Sequence, residues 1–176
     1  MCPSHRVAQD RSPRREPWVI GVNEDQQLIQ RRHSRMLRFM PANIIHGGCL
    51  CGAVRYAAAG EPFNVTHCHC ADCRRSSGAA FVTWASFRRA DFRFTQGEPR
   101  VLLWAERLRS FCAACGTPLT FMIAPGAAEV DVTVCTFDQP AAIVPADHTW
   151  VEDRLPWILL ADQLACFERK RPNHGA

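Results

Sequence analysis

From Gly47 onward, apolar and polar residues alternate in short runs interrupted by Gly and Pro, the pattern of an all-β domain. Strands are predicted over 52–57, 63–69, 80–86, 90–95, 100–105, 107–112, 118–123, 129–136 and 149–154. The clearest is Glu129-Val130-Asp131-Val132-Thr133-Val134, where a two-residue period turns the valines to the core and the acids and Thr133 to solvent. Helix is scarce: about one turn after Cys70 and a short piece around 156–164. Trp84, Trp104, Trp150 and Trp157, with Phe81, Phe87, Phe111 and Phe121, are the large apolar units expected to anchor the core.

Upstream the texture differs. Residues 1–45 mix Arg, Gln, Pro and Ser without a sustained period, so burial cannot offset the entropy of ordering them. They are expected to form a disordered Arg-rich leader, and Met36 or Met40 could equally be the start of translation. The domain organisation predicted is this leader, one β domain over 46–167, and a flexible tail over 168–176.

A chain of 176 residues with 47% apolar content can build one core without disulfides. No apolar run approaches the roughly 18 residues of a membrane span, and residues 1–40 lack the apolar middle of a secretory signal. A cytoplasmic location is expected. The net charge of +4 comes from residues 1–40, which carry eight arginines against four acids; the remainder has 13 basic and 13 acidic residues. No cationic face for nucleic acid is predicted on the body, and a homo-oligomer is possible.

Ten cysteines without an export signal favour metal ligation over disulfides. In Cys49-Leu50-Cys51 the i and i+2 side chains of an extended segment share one side. Cys112-Ala113-Ala114-Cys115-Gly116 turns two more sulfurs inward, with Gly116 free to take a positive φ. Together these four thiolates make the closed tetrahedral set of a structural zinc.

Cys68-His69-Cys70-Ala71-Asp72-Cys73 offers three more sulfurs, with Cys68 and Cys70 on one face and Cys73 brought back by a turn. Three protein ligands leave a fourth position for a substrate, and three thiolates make the metal suited to a soft sulfur ligand. A thiol held there would be a nucleophile near neutral pH, so Cys68, Cys70 and Cys73 are the candidate catalytic set on a second zinc. The competing expectation is a fourth protein ligand, from Cys135, His67, His69 or His148. His67 and His69 face away from the sulfurs on an extended strand, and Cys135 is expected as a free, partly buried cysteine. Cys2 and Cys166 lack metal spacing. Arg74 and Arg75 follow the third ligand directly and are candidates to hold the carboxylate of a thiol substrate.

These motifs resemble the glutathione-dependent formaldehyde-activating enzyme family, which includes the zinc domain of centromere protein V. The resemblance rests on Gly-Gly-Cys-Leu-Cys-Gly-Ala-Val-Arg-Tyr at 47–56, Cys-His-Cys-Ala-Asp-Cys-Arg at 68–74 and Phe-Cys-Ala-Ala-Cys-Gly-Thr-Pro-Leu at 111–119. Thr136-Phe137-Asp138-Gln139-Pro140, His148, Trp150 and Pro156-Trp157 extend it, so that it covers about 46–167. It implies a mainly β, single zinc-stabilised domain of short antiparallel strands with little helix. It also implies two zinc ions per chain, divided between the cysteines as above. The implied activity is that of a carbon-sulfur lyase joining glutathione, or another small thiol, to formaldehyde as S-hydroxymethylglutathione. Two other expectations stand beside it: a zinc-stabilised binding module without catalysis, and a thiol and zinc redox switch.

Overall fold

The computed structural model describes residues 43–172. The expected leader up to residue 42, Cys2 and residues 173–176 lie outside them. Among the described residues no helix is long and apolar enough to cross a membrane.

Two sheets carry the fold. In the smaller, β1 (Ile44–Gly48), β2 (Arg55–Ala59) and β5 (Phe92–Gln96) pair antiparallel in the order β1-β2-β5. β1 begins inside the stretch expected as leader, because its backbone pairs along the whole of β2. Gly47 on β1 lies against the Tyr56 phenol and the Thr136 carbonyl, leaving no room for a Cβ.

The larger sheet contains β3 (Asn64–Cys68), β4 (Val82–Arg88), β6 (Arg100–Trp104), β7 (Arg107–Phe111), β8 (Pro118–Met122), β9 (Glu129–Thr133), β10 (Asp147–Thr149) and β11 (Ala165–Cys166). Their order is β11-β10-β3-β4-β9-β8-β7-β6. Not every pairing is antiparallel: β10 runs parallel to β3 and to β11, reached through the long connection that a parallel pair requires. That pairing sets Thr149 opposite Cys68. The one α-helix among the described residues, α1 (Ala71–Ser77), follows β3 and ends on Gly78 at φ 69°.

Two apolar clusters form between these elements. The main core gathers Tyr56, Phe87, Leu119, Val130 and Val132, and it includes Cys49 and Cys112. A smaller cluster joins Cys68 and Cys73 to Val82 and Trp84, with Phe121 and Trp150 packed against it.

Several strands stop short of their predicted ends. β9 breaks after Thr133 into a 3-10 turn over Val134–Thr136; Val134 is buried, but Cys135 is exposed rather than partly buried. The strand predicted over 149–154 ends at Thr149, because Trp150 adopts φ 58° and opens a second 3-10 turn, Val151–Asp153. The helix predicted around 156–164 is absent. Trp157 and Leu159 there are 66% and 85% exposed, so the segment has no buried face to stabilise a helix. Trp104, at 62% exposure on the edge strand β6, is likewise no core anchor. Beyond β11 the chain stays attached: Trp150 N–H donates to the Arg169 carbonyl at 3.0 Å, and Arg171 pairs with the buried carboxylate of Asp147.

Candidate metal centres

The four-cysteine cluster is built from two turns that meet. In the first, Cys49 N–H donates to the Val54 carbonyl and Gly52 N–H to the Cys49 carbonyl, each at 3.0 Å. In the second, Gly116, at φ 74°, donates its N–H to the Cys112 carbonyl at 2.8 Å. Thr117 ties the two together, accepting from Leu50 N–H at 3.1 Å while its hydroxyl lies 3.1 Å from Cys115 Sγ. The sulfurs of Cys49, Cys51, Cys112 and Cys115 lie within 4.8 Å of one another. Cys49 to Cys51 is 3.5 Å and Cys51 to Cys112 is 3.8 Å. A tetrahedral metal with Zn–S arms of about 2.3 Å has sulfur-sulfur edges of about 3.8 Å, so the cluster fits such an ion.

The second cluster sits where β3 passes into α1. Cys68 ends the strand, Cys70 caps the helix and Cys73 lies in its first turn. The cap is a sulfur: Cys70 Sγ accepts from Cys73 N–H at 3.3 Å. Trp84, on the neighbouring β4, donates its indole N–H to Cys73 Sγ at 3.4 Å. The three sulfurs also lie within 4.8 Å of one another, and among the described residues no fourth His, Cys, Asp or Glu joins the group.

Cys135 is exposed and outside the group, and each alternative histidine is engaged elsewhere. His69 Nε2 lies 2.9 Å from His148 Nδ1, and His148 Nε2 lies 2.9 Å from the Asp162 carboxylate. His67 Nδ1 lies 2.8 Å from the Thr83 hydroxyl. Hydrogen bonds from Cys68 and Cys73 draw the Cys70 thiol well below the ordinary thiol value, while Cys68 is pushed up by its bonds to the same neighbours and by burial. In the other cluster Thr117 draws Cys115 down to about 5. In both clusters sulfurs of unequal acidity crowd together, a donor set that a divalent cation would bind by taking up their shared negative charge. The clusters of four and three cysteines could therefore each hold a metal ion.

The trio opens on a cavity of about 850 Å³, whereas the four-cysteine cluster does not line it. Trp84, Phe121 and Trp150 give the cavity apolar walls, and Arg107, Arg109 and Lys170 bring positive charge. Arg74 and Arg75 are absent from its lining and face a separate hollow of about 290 Å³ with Leu155 and Trp157. Arg74 Nε donates to the His69 carbonyl at 3.1 Å, which fixes it on that side. Trp84, Thr117 and the three cavity cations carry no motif of their own; only Thr117, following Cys115-Gly116 directly, has a local signal.

The family model described as glutathione-dependent formaldehyde-activating enzyme matches residues 44–153. A crystal structure of a Rhodobacter sphaeroides protein, a structural genomics target, is similar over 69% of this chain and 98% of that one, with 24% sequence identity and a TM-score of 0.44.

Proposed function

The chain belongs to the glutathione-dependent formaldehyde-activating enzyme family, and from that premise we propose that it catalyses carbon-sulfur bond formation and cleavage between a small thiol and a small aldehyde, with glutathione and formaldehyde as the model pair. One observation supports this above all: three convergent sulfurs without a fourth protein ligand among the described residues, on the wall of a cavity large enough for a tripeptide thiol.

The four-cysteine cluster would hold a structural zinc, and Cys68, Cys70 and Cys73 a second one. Zinc at the trio would supply a soft Lewis acid that favours a sulfur ligand and lowers its pKa. The chain's own groups set the rest. Trp84 and the Cys73 amide direct N–H groups at the sulfurs, restraining the ligand sulfurs in position. Trp150 and Phe121 wall the cavity with apolar surface and limit water at the reacting carbon. In the reaction the thiol sulfur bonds to the carbonyl carbon, the π pair moves to oxygen, and the thiol proton ends on that oxygen. S-hydroxymethylglutathione results, and the reverse path breaks the same bond. Thiolate ligands need a reducing compartment, which supports a cytoplasmic location.

The test is magnetisation-exchange NMR on mixtures of glutathione and formaldehyde. The zinc-loaded protein should accelerate exchange between free glutathione and the adduct beyond the rate in buffer, and Cys70→Ser should abolish the acceleration. An exchange rate equal to that in buffer contradicts the proposal.

A further inference from the structure

The cavity beside the trio holds three cations, and they are not equivalent. Arg107 is ion-paired with Asp72. The Arg109 guanidinium lies 4.7 Å over the Phe121 ring. Lys170 makes no ion pair among the described residues. It is also the only lysine in the chain.

The acids on the same walls are mostly engaged. Asp72 holds Arg107, Asp131 accepts from the Ser86 hydroxyl at 2.5 Å, and Asp153 accepts from the Ala71 amide at 3.4 Å. Glu129 makes no ion pair among the described residues. Among the described residues the cavity therefore presents one ammonium outside any ion pair, and on its acidic side Glu129 and Asp153 without one, a polarity suited to a zwitterionic ligand.

Lys170 comes from outside the stretch that the family model matches, which ends at residue 153. Three contacts nevertheless fasten its segment to the cavity wall. Phe167 N–H donates to the His148 carbonyl at 2.8 Å, Trp150 N–H donates to the Arg169 carbonyl at 3.0 Å, and Arg171 pairs with Asp147, which is 3% exposed. Trp150 lines the cavity, and its neighbour Thr149 stands opposite Cys68 in the parallel pairing. The backbone that carries Lys170 is thus held one strand away from the first sulfur of the trio.

We propose that Lys170 is the specificity-determining residue of this cavity, receiving a carboxylate of the thiol whose sulfur reaches Cys68, Cys70 and Cys73. The inference rests on the thiol-binding reading above and adds to it the residue that receives the carboxylate, with Glu129 lining the same cavity as the match for an ammonium group. An ammonium on a flexible four-carbon stem can follow a carboxylate across a wide cavity while staying hydrated, which a planar guanidinium stacked on a ring cannot do.

The experiment uses the full zinc-loaded chain as wild type, Lys170→Ala and Lys170→Arg, with glutathione and glutathione dimethyl ester as probes. Half-saturation of the exchange rate is measured for each pair, and equal zinc content and melting temperature establish that the variants are folded. Lys170→Ala should raise half-saturation for glutathione by roughly tenfold, as expected for one charge-assisted hydrogen bond. It should leave the maximal rate and the diester unchanged, and Lys170→Arg should recover most of the loss. Equal effects on both probes, or none on either, overturn the role of Lys170 while leaving thiol chemistry intact. If the wild type responds to neither probe, the thiol-binding reading fails and the Lys170 proposal falls with it.

Discussion

The indole N–H of Trp84 meets Cys73 Sγ at 3.4 Å, linking the sulfur trio to the neighbouring strand through a side chain that is itself only 6% exposed. A sulfur that accepts this bond is held in place and keeps less free charge. Trp84→Phe retains most of the packing and removes the donor. We expect zinc at the trio to be held more weakly by about tenfold, the lower end of what such supporting contacts contribute, with the four-cysteine site unaffected. Competition with a chromophoric chelator, which resolves the two affinities, checks this.

The two clusters predict opposite responses to loss of one ligand. Cys112 is 1% exposed and belongs to the main core with Cys49, so a metal there joins the turn after β1 to the turn between β7 and β8. Cys112→Ser removes metal-linked folding energy and should leave the chain without a cooperative thermal transition. Cys70→Ser lies in the smaller cluster at a helix cap and should give a folded protein with about one zinc fewer. Circular dichroism melts alongside zinc analysis separate the two outcomes. A Cys70→Ser protein that fails to fold would make the trio structural.

How much of this was legible in the sequence depended on how local each feature is. Cys49-Leu50-Cys51 and Cys112-Ala113-Ala114-Cys115 declare their pairing because two or three residues of backbone fix where the sulfurs go. Glu129 to Val132 showed its alternation for the same reason, whereas Thr133, expected in solvent, is buried at the end of the strand with its hydroxyl bonded to the Pro118 carbonyl. Arg74 and Arg75 line a separate hollow from the trio's cavity: α1 rotates each successive side chain by about 100°, so the residues after Cys73 leave its face. Lys170 could not be found at all, because nearly a hundred residues of chain separate it from Cys73 and only the pairing of β10 with β3 brings its segment close. Hydrophobicity alone also could not separate Trp84, which is buried, from Trp104 and Trp157, which are exposed.

Tyr56 offers a pH test away from the cavity. It is the only tyrosine, is fully buried, and its hydroxyl lies 2.6 Å from that of Thr136. Burial raises its pKa well above the ordinary phenol value, outweighing the bond to Thr136. A raised folded-state pKa means the stabilisation is complete below about pH 10 and declines as pH rises beyond it, by up to about 1.4 kcal/mol per pH unit. Absorbance at 295 nm should therefore stay flat through pH 10 in the folded protein and rise only with unfolding. Denaturant melts of Tyr56→Phe should lack that alkaline slope. An ordinary phenol titration in the folded state would show that Tyr56 is not enclosed.

The central claim is that one metal is surrounded by four protein sulfurs and the other by three, with a place for the sulfur of a substrate. X-ray absorption at the zinc edge of the fully loaded protein counts those neighbours directly. The account predicts an average of about 3.5 sulfurs per zinc at about 2.3 Å, rising to about 4 when glutathione is added. A count of 4 before any thiol is present, or one that glutathione leaves unchanged, would contradict it.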